Sequence, residues 1–179
     1  MYAYCLFCNT QKSRDAAENL RQKYGFEVLI PRIVQRKWIR GVAHEEERDF
    51  LPSYLFVYSK TPIENPRKLQ REYHILRCLG APENDYVLQD SNLGFAQMLY
   101  DNGGTIGILK TYREGDRIHL VQGALGGLEG EIIRLDRNKG RAQIQYEFDG
   151  AVFKTWVGYD LIDDPVQLQA PGTENDAEN

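Results

Sequence analysis

Cysteine is scarce in this chain: three residues in 179, an odd count. So few thiols do not build a disulfide framework, and they fit a reducing cytoplasm. Long apolar runs are also missing. No stretch reaches the roughly 18 residues that a membrane helix needs, so no membrane partner is expected. The first residues, MYAYCLFCNTQK, lack the basic start and small-residue cleavage site of a signal peptide. Cys5 and Cys8 have half of a metal-site spacing. On a strand, however, residues three apart face opposite sides, and no second such pair exists. P-loop, HExxH and GxSxG patterns are absent, as is any convincing nucleophile–base pair. The expectation is therefore a cytoplasmic protein, not an enzyme, with no metal and no cofactor.

Charge of one sign is scarce wherever the chain looks able to fold. Residues 1–101 hold 14 basic and 13 acidic side chains, residues 102–163 hold 8 and 9, and residues 164–179 hold none and 4. The net charge of −4 thus belongs to the last stretch, DPVQLQAPGTENDAEN. With little apolar content, this stretch is expected to be a disordered acidic tail. Any nucleic-acid contact must then come from a local patch rather than from bulk charge.

What the chain does have is punctuation. Gly123, Gly126, Gly127 and Gly130 crowd one turn region. Ala142, Ile144, Tyr146 and Phe148 alternate with Arg141, Gln143, Gln145 and Glu147, the period of a half-buried strand. Asp149-Gly150 then signals a hairpin. Short strands at close intervals over 113–163 predict a small closed β barrel. Upstream, 3–7 reads as a strand and 11–24 as a helix, with Thr10 or Ser13 as N-cap and Gly25 as its stop. Residues 26–30, 33–39 and 51–58 read as strands, 66–73 and 92–100 as helices. A β-α start, a central sheet and further helices predict an α+β fold of two domains, 1–101 and 113–163. Residues 102–112, with Gly103-Gly104, are expected to be a flexible linker.

These patterns resemble a known family. The segment GDRIHLVQGALGGLEGEI resembles the KOW motif, an SH3-like barrel associated with RNA and the ribosome. The first domain resembles the N-terminal domain of NusG transcription elongation factors. The aromatic strand followed by an amphipathic helix, FEVLIPRI, FLPSYLFVY and LRCLG carry that likeness. Together the two matches cover about residues 1–163. Ser53 stands where the family favours glycine, Tyr4 where tryptophan is common, and FKTWVGYDLI departs from the usual last strand. These departures suggest a specialised paralog of the RfaH or LoaP kind. The resemblance implies a monomeric elongation or antitermination factor that binds the clamp of RNA polymerase and promotes processive elongation. A different reading is a stand-alone RNA-binding or ribosome-associated KOW protein. Whether the factor antiterminates, pauses or terminates is left open.

Each candidate site has two readings. Phe50, Tyr54 and Phe56 suit either core packing or, by resemblance, an apolar pocket for the polymerase clamp, with Tyr54 at its rim. Arg32, Arg36, Lys37 and Arg40 surround Trp38 and face Glu45-Glu46-Glu47 across Gly41. They form either a charge-paired hairpin or a basic arm for upstream DNA, whose phosphates carry no sequence information. Arg71, Tyr73 and His74 are either surface residues or, by resemblance, a loop touching the polymerase across its cleft. Arg134, Arg137, Lys139 and Arg141 either solubilise a turn or grip the backbone of nascent RNA. Leu125, Leu128 and Phe148 are either barrel core or, by resemblance, the contact with a small-subunit ribosomal protein or Rho.

Overall fold

The computed structural model describes residues 1–80, 86–115, 117–121, 125, 128 and 130–162. Gly123, Gly126 and Gly127 and the acidic tail lie outside the described residues, and with them the expectations attached to them.

The chain opens with strand β1 (Tyr2–Cys8) and helix α1 (Ser13–Tyr24), joined through a 3-10 turn, Thr10–Lys12. The Asn9 side chain, rather than Thr10 or Ser13, accepts the amide of Gln11 at 3.1 Å and caps this start. Gly25 ends the helix in the left-handed region, its N–H bonding the Arg21 carbonyl at 2.9 Å, a geometry that glycine adopts without strain. Short β2 (Glu27–Leu29) leads to β3 (Arg32–Ile39) and β4 (Val42–Asp49), an antiparallel hairpin turning at Arg40-Gly41. Strand β5 (Tyr54–Ser59) follows, then β6 (Ile75–Cys78) and helix α2 (Asp90–Asp101). The helix expected at 66–73 is a 3-10 segment, Pro66–Arg71. It stops where Glu72 turns extended and its N–H bonds back to the Leu69 carbonyl. Strand β7 (Thr105–Ile106) precedes the barrel strands β8 (Leu109–Glu114), β9 (Arg117–Leu120), β10 (Gly130–Asp136), β11 (Arg141–Phe148) and β12 (Ala151–Ile162).

Three sheets result. The first has the order β2-β5-β1-β6, with β1 antiparallel to both neighbours. Alternation along β1 and β5 divides its residues between two faces. Tyr4, Leu6, Cys8, Leu55 and Val57 pack on Ala16, Ala17 and Leu20 of α1. Ala3, Cys5, Tyr54, Phe56 and Tyr58 point the other way, towards Phe95, Ala96 and Leu99 of α2. Cys5 and Cys8 therefore belong to opposite faces, as strand geometry requires. Burial raises both thiols, Cys8 to about 11.

The fold is α+β, with a nearly closed small barrel at its C-terminal end. The barrel order is β10-β11-β12-β8-β9, and β9 comes back against β10, bringing the two edges of the sheet together. Its first and last strands lie side by side: β8 runs parallel to β12, pairing Leu109 with Tyr159. The third sheet, β4-β3-β7, ties the halves together. The stretch expected as a linker contributes to both ends of this tie. Thr105 pairs with Arg32 in parallel register, the Gly104 carbonyl accepts the Arg32 amide at 2.9 Å, and β8 already begins at Leu109.

Candidate functional site

The aromatic face of the first sheet meets the barrel. Phe50, Tyr54 and Phe56 are almost fully buried, at 1, 5 and 0 % exposure. Much of what covers them comes from far along the chain. Phe148, at the tip of the β11–β12 hairpin, lies edge-on to Tyr54 with ring centres 5.1 Å apart, and at 5.8 Å from Phe56. Tyr146 stacks on Phe50 at 4.4 Å and donates its hydroxyl to the Phe50 carbonyl at 2.6 Å. Edge-to-face and offset rings of this kind are favourable beyond their buried area.

Polar groups ring this contact. The Tyr54 hydroxyl reaches the Asp149 carboxylate at 3.4 Å, and Arg77 pairs with the same carboxylate. Burial, then the Asp149 charge, pushes the Tyr54 phenol up to about 12. Burial likewise raises Tyr146. On the far side Arg36 bonds Asp160 at 2.7 Å and the Tyr159 carbonyl at 2.9 Å, while Lys110 approaches Asp160 at 3.2 Å. The bond from Arg36, and then that from Lys110, hold the Asp160 carboxyl below its usual range. Gly158 permits the close approach at this end. A Cβ there would come within 2.4 Å of Ile108 Cδ1 and 3.5 Å of the Val34 carbonyl oxygen.

The β3–β4 hairpin carries its charges mostly in pairs. Arg32 meets Glu47 at 2.5 Å, Lys37 meets Glu46 at 3.8 Å, and Arg36 turns to the barrel. Arg40 has no ion-pair partner among the described residues, and it projects with exposed Trp38, Ile39 and Val42 at the tip.

Arg71 and Tyr73 are exposed beside edge strand β6, and Leu76, which sequence reasoning passed over, is 60 % exposed next to them. His74 is half-buried beneath the Tyr73 ring, centres 3.6 Å apart, with its backbone in the left-handed region. Ser53 is also left-handed, at φ 77°, which explains glycine's suitability there. Its hydroxyl bonds that of Thr10, and its carbonyl accepts the Cys8 amide at 2.8 Å.

In the barrel, Leu125 and Phe148 are buried and Leu128 half-buried, so Phe148 offers no surface to a further molecule while it sits on Tyr54. Arg137 and Lys139 occupy an exposed 3-10 turn. Arg134 and Arg141 lie over Trp156, their guanidinium carbons 5.9 and 4.6 Å from its ring centre. Arg141 also bonds Asp136 at 3.1 Å. Sequence reasoning assigns Trp156 no role.

An α+β domain with an aromatic face, followed by a small barrel seated on that face, defines the class of fold. Residues 2–94 match the family described as transcription termination factor NusG, and since this is just over half of the chain, the protein belongs to that family. It is thus a transcription elongation/termination factor in general terms, and such factors act with RNA polymerase. No curated protein matches the chain. Among the described residues, no helix is long and apolar enough to cross a membrane.

Proposed function

We propose that the protein binds the clamp of RNA polymerase through Phe50, Tyr54 and Phe56 and favours processive elongation, and that the barrel is the removable cover of that face. Such a factor needs no covalent chemistry; binding free energy selects one conformational state of its partner. The observation that carries the reading is Phe148. A ring from the barrel fills the aromatic face of the family-matched domain, between polar groups that water could solvate again on release. The docked arrangement is then a resting state, and the fraction of undocked molecules scales the apparent affinity for polymerase. Arg71 and Tyr73, with Leu76, would form a second polymerase contact. Lys37 and Arg40, joined by Arg36 once it leaves Asp160, would face upstream DNA. The released barrel would present Leu128 and Phe148 to a ribosomal protein or Rho, or its basic turn to nascent RNA.

Capture of purified core RNA polymerase by the full chain tests this. Phe148→Asp should raise capture by exposing the face. Adding Tyr54→Asp in that background should lower capture again by about 2 kcal/mol or more, the usual cost of losing an aromatic anchor. Unchanged capture by both variants, with native circular dichroism, would move the polymerase contact elsewhere.

A further inference from the structure

The outer face of the barrel carries a set of side chains that neither its core nor its docking uses. Register across β10, β11 and β12 separates the two sides. Ile132, Ile144 and Thr155 align in one row and Tyr146 with Phe153 in another, facing inward. The intervening rows face outward: Arg134, Gln143 and Trp156 in one, Glu131, Gln145 and Lys154 in the next. An indole therefore stands mid-sheet beside the side-chain amides of β11 and several cations. The Trp156 ring is half-buried, and two guanidinia rest near it from one side of the sheet, Arg141 on adjacent β11 and Arg134 on β10 beyond it. Beside it opens a concavity of about 650 Å³ lined by Arg134, Asp136, Arg137, Asn138, Arg141 and Trp156. That is within the size range of small-ligand sites, roughly 300–1,000 Å³.

We propose that this sheet face binds a single-stranded polynucleotide, with one base stacked on Trp156. The proposal rests on the reading of the Arg137–Lys139 turn as a nucleic-acid contact, and adds to it the group that reads a base. Arg141 is anchored by Asp136, but Arg134 is exposed and has no carboxylate partner among the described residues. Arg134 can leave the ring as a base arrives and take up a phosphate instead. Arg137, Lys139 and Lys154 likewise have no ion-pair partner among the described residues and edge the path of a backbone. Gln143 and Gln145 each offer a donor and an acceptor to an unpaired base edge. Aromatic stacking flanked by cations is the general chemistry of single-strand recognition. An acidic peptide would use the cations but leave the indole and the amides unused.

Trp38→Phe leaves Trp156 as the sole tryptophan of the full chain, because the sequence has two. Titration with an eight-nucleotide RNA of mixed sequence at low salt should quench its fluorescence saturably. The same DNA sequence distinguishes the strands: equal quenching means that the 2′-hydroxyl is not read, and quenching by RNA alone narrows the ligand to RNA. Either result supports the platform. Poly-glutamate quenching as well as the oligonucleotides would overturn it in favour of a general anion surface. With labelled oligonucleotide, Trp156→Leu should weaken binding roughly 5- to 150-fold, the range for one stacked base, and Trp156→Phe should restore most of it. Arg137→Gln with Lys139→Gln should flatten the salt dependence by about 1.4 in log–log slope. Binding that survives Trp156→Leu but falls with the turn variant would sink the stacking platform while keeping the basic turn. A wild-type protein that binds neither strand at low salt overturns both, and polymerase capture is scored separately.

Discussion

The two faces of the first sheet are buried to similar depth but by different means. One is closed by α1, the next element in the chain, through small and aliphatic side chains: Ala16, Ala17 and Leu20 on Leu6, Leu55 and Val57. The other is closed partly by α2 and partly by a hairpin about a hundred residues away, through rings whose hydroxyls and neighbours remain polar. The first closure has the composition of a domain core. The second has that of a protein–protein interface, with aromatic anchors at the centre and ion pairs at the rim. Depth of burial alone does not distinguish a permanent core from a surface that is covered for a time; under the proposed function, the chemistry of the covering side chains makes the second face such a surface.

Substitutions on the two faces should separate them most strongly. Leu20→Ala should cost about 2–5 kcal/mol and lower the melting of the whole N-terminal domain. Phe148→Ala removes a comparable buried area but should instead split unfolding into two transitions, with both halves still folded at the lower one, as read by calorimetry and amide exchange. A single cooperative transition in both variants would make the aromatic face an ordinary core.

Alkali should loosen the second face through Tyr54. The phenol of Tyr54 is raised from its ordinary value near 10 to about 12 in the folded protein. Its contribution is therefore complete below about 10 and is lost as pH rises through about 12. Undocking between those values, followed through the environment of Tyr146, should be weaker in Tyr54→Phe. A response of equal size in that variant would assign it to other groups.

The smallest effect is expected at the rim. Arg36 and Asp160 are 25 and 38 % exposed, so solvent screening limits Asp160→Asn to about 1 kcal/mol or less of docking free energy. Because the folded Asp160 carboxyl sits below its usual range, its contribution is full above the unfolded value, near 3.9, and is lost as pH falls through the folded one. Asp160→Asn should show a shallower acid dependence of docking; an unchanged profile would remove Asp160 from the interface energetics.

Local structure was legible in the sequence where local chemistry decides it. Gly25 announced the end of α1, Asp149-Gly150 the β11–β12 turn, and the alternation of 142–148 the inward rows of β11. Long-range placement was not legible. The same alternation that made Phe148 an inward residue did not say whose interior it enters, because Tyr54 and Phe56 lie some ninety residues earlier. Gly103-Gly104 read as flexibility, yet the backbone beside them is taken up by β3. Trp156 was passed over because one strand's alternation does not reveal the neighbours that register supplies: Gln143 and Arg134 stand beside it only once three strands pair.

The parallel pairing of β8 with β12 has a consequence for how the molecule is made. The aromatic face of the first sheet is complete once α2 and β7 have left the ribosome, whereas the barrel cannot close until its last strand, ending at Ile162, is synthesised and inserted beside its first. At roughly 5–20 residues per second, translation leaves a gap of several seconds between the two events. During that gap a nascent chain displays Phe50, Tyr54 and Phe56 with no hairpin to cover them, so each newly made molecule passes once through the uncovered form before its own C-terminal half can shut it.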